Sequence, residues 1–186
     1  MSKVNLYVEG KTDQEFIKAL IGFHIQNADY ASFILEGNHE RISRKNDRIK
    51  EGKMNIFILD SDANTLGNVQ ESLSPIIEEE TRLNRVIRFD TYLIENNLET
   101  LIRSISPNEK ESLWNCIDTY ADCNFAIGSD LLREVDSKTK IFIYVNAHKV
   151  PENFKEKVYQ NDDLWDLEHD NLEELISFLK KHLEDV

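Results

Sequence analysis

The sequence predicts a three-layer α/β fold in which helices flank a mainly parallel central sheet. Short apolar runs rich in β-branched and aromatic residues alternate with segments whose apolar residues recur at helical spacing, as in strands joined by crossover helices. Residues 56–59 are apolar at every position, which is typical of a strand buried on both faces of a parallel sheet. The 186 residues are enough for one domain with a substantial core. We therefore expect a single domain over 1–186, with a core at 1–105 and an extension at 106–186 that completes it.

The first strand and helix have clear local signals. Residues 4–8 form a short strand in which apolar and polar side chains alternate, and a turn follows at 9–12. Thr12 and Glu15 have the spacing of a capping box, which predicts a helix that runs to His24. The predicted apolar stripe of this helix consists of Phe16, Ala19, Leu20 and Phe23.

Strands and helices continue to alternate along the next segment. A second strand is predicted at 32–35, and a basic helix or loop–helix at 38–50. The apolar run at 54–59 is the third strand. A helix follows at 66–83, and Pro75 indicates that this helix either begins or kinks there.

The second half of the chain is predicted in the same way. A mixed pattern at 86–94 indicates a fourth strand, and 98–102 open a helix. Residues 109–123 form a helix with Leu113, Cys116, Ile117 and Tyr120 on one face. The sequence KIFIYV at 140–145 is predicted to be the last strong strand because it is rich in β-branched and aromatic residues. A C-terminal amphipathic helix is expected at 171–183.

Composition bounds the environment of the protein. No apolar stretch approaches the roughly 18 residues that span a bilayer, and the N-terminus lacks the apolar core of a signal peptide. We therefore expect a cytoplasmic protein that does not contact a membrane. Cys116 and Cys123 are the only cysteines, and their spacing puts both on one helix face, where we expect them to be small core residues.

Charge argues against non-specific binding of nucleic acid. The net charge is −13, whereas such binding depends on basic side chains that neutralise phosphates. Residues 152–186 carry eleven acidic and four basic side chains, and could offer a surface to a basic partner protein. Residues 38–53 have a net charge of +3 and form either a solvated helix face or a surface for phosphates.

Acidic residues follow the predicted strands at equivalent places. Glu9 comes directly after the first strand and Asp13 four residues later, Asp60 and Asp62 follow the third strand, and Glu99 lies just past the fourth. The carboxyl ends of neighbouring parallel strands share one edge, so these carboxylates could bind one or two Mg²⁺ ions that activate a water for attack on a phosphodiester. Glu9 and Asp13 could instead be acids that favour a helix N-terminus, and the Asp-x-Asp motif is a weak signal when taken alone.

Other folds with an Asp-x-Asp motif fit the sequence less well. An EF-hand loop would use Asp60, Asp62, Asn64 and Glu71, but Thr65 occupies its glycine position. A phosphatase of the haloacid-dehalogenase type would carry the motif after the first strand. A receiver domain would need an acidic pair there, where only one acid stands.

Two motifs resemble the Toprim domain of topoisomerases, bacterial primases and the overcoming-lysogenization-defect nucleases. They are the sequence VEGKTD at 8–13, which is most similar to the nuclease group, and the sequence DSD at 60–62. The sequence LETLI at 98–102 is similar to small stand-alone Toprim-related prokaryotic proteins. The resemblance is strong over 4–62 and extends to 102.

The resemblance implies roles for the five acids. Glu9 would be a metal ligand and a candidate general acid or base, and Asp60 and Asp62 would hold Mg²⁺, with Mn²⁺ as an alternative. Asp13 would join Glu9 at one metal, and Glu99 would complete a second site.

The nuclease branch also uses a lysine near its last strand, for which Lys140 and Lys149 are candidates. The implied function is Mg²⁺-dependent phosphodiester chemistry on nucleic acid. The alternative is a catalytically silent module that binds metal or nucleotide and acts through a partner protein.

Overall fold

The computed structural model describes residues 3–45, 49, 52–126, 135–148 and 158–184. The chain divides into two compact units. The first unit consists of residues 1–98 and 172–186, and the second of residues 99–171. Across the described parts, we find no helix with the length and apolar character needed to cross a membrane. The expectation of a single folding domain over the whole chain stays a prediction.

The first unit is built on a four-stranded sheet, and all of its strand pairs are parallel. The strand order is β2-β1-β3-β4. The three-layer α/β prediction is confirmed, and the four strands lie close to their predicted positions. They are β1 (Val4–Val8), β2 (Tyr30–Ile34), β3 (Met54–Asp60) and β4 (Arg88–Ile94).

Helices cover both faces of this sheet. The strand residues Tyr7, Phe57 and Leu59 belong to one core cluster with α2 (Leu66–Arg82), and a 3-10 helix at His39–Lys45 contacts α2. The helices α1 (Lys11–His24) and α6 (Glu173–Leu183) contact each other and pack against β1 and β4 respectively. Neighbouring strand residues point to opposite faces, so these helix pairs cover the two sides of the sheet.

The start of α1 differs from the prediction. Gly10 is the N-cap and Lys11 is already helical, so the third helical residue is Asp13, whose carboxylate accepts from the Gly10 N–H. The capping box of Thr12 and Glu15 is therefore wrong by two residues. Phe23 is 49% exposed, so its predicted place in the apolar stripe is also wrong.

Pro75 lies inside α2 and does not begin it. Thr65 is the N-cap of this helix, and its side chain accepts from the Asn68 N–H. The predicted start at residue 66 is confirmed.

The second unit is helical in its described part, apart from turns and irregular segments. Residue 99 lies in α3 (Leu98–Ser104), and α4 (Glu111–Ala126) and α5 (Ser137–Ala147) follow. The strand predicted at 140–145 is wrong, because that segment lies within α5. Asp136 is the N-cap of this helix, and its carboxylate accepts from the Thr139 N–H at 2.7 Å.

The packing of α5 explains this error. Ile141 and Tyr144, three residues apart, are buried on one face of α5, whereas Phe142 between them is 67% exposed. The Tyr144 ring stacks on Trp114 of α4, with the ring centroids 4.3 Å apart. Contacts with distant residues have thus decided the conformation against the strand preference of the segment.

The face of α4 that packs inward also differs from the prediction. Trp114 and Ile117 are buried, whereas Cys116 and Tyr120 are exposed. The prediction that Cys116 is a core residue is therefore wrong. For Cys123, the prediction of a core side chain lies outside what the structure describes, because only its helical backbone is described.

Candidate active site

Glu9 joins the carboxyl ends of two central strands. It follows β1 directly, and β1 pairs with β3. Glu9 Oε1 accepts from the Asp60 N–H at 3.0 Å and from Asn64 Nδ2 at 2.7 Å. The side chain of Glu9 therefore points across the sheet edge to the end of β3, and not away into a helix cap.

Asn64 connects three segments at this edge. It is only 2% exposed, and its Nδ2 donates to the Asp60 carbonyl at 2.7 Å as well as to Glu9. Its Oδ1 accepts from the His39 main-chain N–H at 2.8 Å and lies 3.0 Å from His39 Nδ1. Asn64 thus holds the ends of β1 and β3 and the segment after β2 in one hydrogen-bonded network.

Asp60 and Asp62 differ in their surroundings. Asp60 is the last residue of β3, and its Oδ1 accepts from the Leu98 N–H at 2.8 Å. Asp62 is exposed, and its N–H donates to the Asn96 carbonyl at 3.0 Å. The structure therefore holds the Asp60 carboxylate in place and leaves the Asp62 side chain in contact with solvent.

Asp13 belongs to the first unit, and Glu99 and Lys140 belong to the second. Asp13 is 5% exposed and accepts from the Gly10 N–H beside Glu9. Glu99 is buried in the second unit, with Oε1 3.7 Å from Lys138 Nζ. Lys140 Nζ lies 2.8 Å from Asp118 Oδ1. Lys149 lies outside the described residues.

A family described as a protein of unknown function, DUF3226, matches residues 3–184. The chain belongs to the DUF3226 family. No curated protein and no solved structure matches it.

The electrostatics of the DUF3226 site centre on Glu9. Burial raises the pKa of Glu9 above its ordinary value. The hydrogen bonds from the Asp60 N–H and Asn64 act in the opposite direction but are outweighed. The nearby negative charges of Asp13 and Asp62 raise the pKa further. The surroundings of Glu9 therefore destabilise its ionised form relative to its neutral form.

The donor chemistry limits which metal the site suits. Among the described residues, no group of three or more His, Cys, Asp or Glu side chains is arranged to hold a metal ion. A closed cage of the structural zinc type is therefore not built from them. Carboxylate oxygens at one edge instead suit Mg²⁺, which proteins often bind through one or two carboxylates, several waters and a substrate phosphate.

Two members of the network, His39 and Asn64, were not among the predicted site residues. A partial signal existed in the sequence, because His39 lies in the connection that leaves the carboxyl end of β2, and β2 is the parallel neighbour of β1. His39 is also the first residue of the 3-10 helix His39–Lys45, which lies in the basic segment 38–53. The start of this segment therefore reaches the carboxylate edge through Asn64.

Proposed function

We propose that this DUF3226 protein is a Mg²⁺-dependent nuclease that acts on the phosphodiesters of nucleic acid. The observation that carries the proposal is the position of Glu9. Its carboxylate is held between β1 and β3 by neutral N–H donors, while Asp13 and Asp62 add negative charge nearby. A hard cation is the group that relieves such a concentration of negative charge.

Glu9 and Asp60 are the proposed Mg²⁺ ligands, with Asp62 at the exposed side of the site. When bound, the ion would polarise the phosphoryl oxygens and lower the pKa of an attacking water. The two hydrogen bonds to Oε1 fix the direction of the Glu9 carboxylate. The bond from the Leu98 N–H does the same for Asp60, so both side chains are oriented before a ligand arrives.

The charge of the chain restricts the substrate. With a net charge of −13, we expect weak binding of long nucleic acid through the surface alone. We propose that the phosphate is engaged at the metal and beside the basic segment that begins near His39. The proposed compartment is the cytoplasm.

A second candidate is a catalytically silent module that binds metal or nucleotide and acts through a partner protein. It is favoured by the use of Glu9 Oε1 and Asp60 Oδ1 in hydrogen bonds that hold the fold together. The acidic residues of 152–186 would then contact a basic partner.

Cleavage assays separate the two candidates. Plasmid DNA and RNA are incubated with Mg²⁺ or Mn²⁺ and with the wild type, Glu9→Gln, Asp60→Asn or Asp118→Asn. We expect cleavage by the wild type, a loss of at least about 100-fold in the first two variants, and no loss in Asp118→Asn, which removes one charge from the second unit. Metal binding without cleavage of either substrate would instead support the silent module.

A further inference from the structure

Two hydrogen-bond partners determine the orientation of the Asn64 amide, because one of them can only accept and the other can only donate. The Asp60 carbonyl can only accept, so the Asn64 atom 2.7 Å from it is the NH₂ group. The His39 main-chain N–H can only donate, so the Asn64 atom 2.8 Å from it is the oxygen. The two requirements agree, and a flipped amide would violate both.

This orientation selects one tautomer of the neutral His39 ring. Nδ1 of His39 lies 3.0 Å from Asn64 Oδ1, which carries no hydrogen, so Nδ1 is the protonated nitrogen. The other ring nitrogen, Nε2, then carries the lone pair. The fold thus presents His39 as a base at Nε2.

Glu9 strengthens this arrangement through Asn64. The Asn64 NH₂ group donates to the Glu9 carboxylate at 2.7 Å, and such a charge-assisted bond polarises the amide and makes its oxygen a better acceptor. An acceptor at Nδ1–H fixes the tautomer and the direction of the imidazole ring. Carboxylate, amide and imidazole form a chain in which each group orients the next.

The backbone also ties the segment before His39 to Glu9. The Glu9 carbonyl accepts from the Glu36 N–H at 3.0 Å and from the Gly37 N–H at 3.3 Å. Gly37 has a φ of 145°, which side chains with a Cβ rarely adopt. His39 is therefore fixed at the same sheet edge by main-chain bonds as well as by its ring.

We propose that His39 is the proton acceptor of the phosphodiester reaction, with Nε2 as the basic atom and Asn64 as the positioning residue. The proposal rests on the proposed function. A water oxygen forms a bond to the phosphorus while its proton passes to Nε2. The bond from phosphorus to the leaving oxygen breaks, and that oxygen takes a proton from solvent.

Two variants of His39 separate this role from a structural one. In His39→Asn the amide nitrogen replaces Nδ1 as a donor to Asn64, but no lone pair remains at the place of Nε2. In His39→Ala both are lost. His24→Asn, on α1 of the same unit, is the matched control, and thermal unfolding checks that each variant folds.

We expect His39→Asn and His39→Ala to lose cleavage equally, by about 100-fold to 10,000-fold, while His24→Asn keeps it. Nitrogen NMR of the wild type, followed to a pH at which the ring is seen to be neutral, should show His39 protonated at Nδ1 and not at Nε2. His39→Asn with wild-type cleavage, or an Nε2–H tautomer, overturns the inference alone. A wild type that cleaves neither substrate overturns the inference together with the proposed function.

Discussion

Two carboxylates, one in each unit, have opposite electrostatic settings. Glu9 at the sheet edge accepts from neutral donors, the Asp60 N–H and the Asn64 amide, and burial raises its pKa. Asp118 on α4 is also partly buried, but Arg103 lies 2.6 Å from one of its oxygens and Lys140 2.8 Å from the other. Burial acts to raise the pKa of Asp118, and the bonds from these cations outweigh it, so the pKa is lowered.

The difference separates a structural acid from a candidate functional one. The charge of Asp118 is balanced by its neighbours, and Trp114 supports this cluster because the Arg103 guanidinium lies 5.1 Å from its ring centroid. No such balance exists at Glu9, where Asp13 and Asp62 add further negative charge nearby and raise its pKa. A carboxylate whose surroundings destabilise its ionised form is expected at sites where a protein gives up stability for function.

The largest expected effect on stability comes from disrupting the aromatic core of the second unit. Trp114 is 1% exposed, stacks on Tyr144 and donates to Ser106 Oγ at 2.8 Å. We expect Trp114→Ala to lower the free energy of unfolding by about 3–5 kcal/mol. Hydrogen exchange should show loss of protection in α4 and α5.

Phe142→Ala, at an exposed ring on α5, is the matched control and should change stability by less than about 0.5 kcal/mol. Equal effects of the two substitutions would contradict the aromatic core described for this unit.

The second-largest expected effect on stability is at Asn64, which connects three segments at the sheet edge by hydrogen bonds. Asn64→Leu keeps the approximate size of the side chain but removes every hydrogen bond of the amide. The His39 N–H and the Asp60 carbonyl would lose a partner at a buried site, so we expect a loss of about 3 kcal/mol in denaturant unfolding.

Gln70→Leu, an exposed amide on α2, should change stability by less than about 0.5 kcal/mol. If Asn64→Leu is as stable as Gln70→Leu, the network does not hold the strand ends together.

The smallest effects test the opposite pKa shifts directly. A raised pKa means that neutral Glu9 stabilises the fold below its ordinary value of 4.5, and that this stability is lost as the pH rises through the raised value. Glu9→Gln should therefore increase stability at neutral pH, by about 0.5–2 kcal/mol, and lose this advantage in acid.

Asp118→Asn should behave in the opposite way. The pKa of Asp118 is lowered, so its stabilisation is present above the ordinary value of 3.8 and is lost as the pH falls through the lowered value. At neutral pH we expect a loss of about 1 kcal/mol, since the ion pairs are partly exposed. Unfolding curves measured across this pH range for both variants check the signs, and shifts of the same sign would contradict the comparison.

The sequence was most informative where the local pattern and the packing agree. The apolar run at 56–59 is buried at every position, as expected for a central parallel strand. The run at 140–145 misled because its side chains favour strands, whereas Ile141 and Tyr144 pack at helical spacing. That packing depends on Trp114, which lies far away in the sequence and which no local pattern identifies.

The candidate site was also predicted only in part, and the residues that were predicted are those whose position follows from the strand pattern. Glu9 and Asp60 could be placed at one edge because parallel neighbours end together, and the structure joins them by a hydrogen bond. Asn64 lies in the loop after β3 and His39 at the start of a short 3-10 helix, where side-chain position depends on turns that the sequence pattern does not specify. Glu99 is described only within the second unit, beside Lys138.

Binding of Mg²⁺ tests the central claim most directly. Calorimetric titration of the wild type, Glu9→Gln and Asp118→Asn compares two variants that each remove one negative charge, one at the sheet edge and one in the second unit. We predict that the wild type and Asp118→Asn bind Mg²⁺ alike and that Glu9→Gln does not bind it. Equal binding by Glu9→Gln, or no binding by the wild type, would contradict the account.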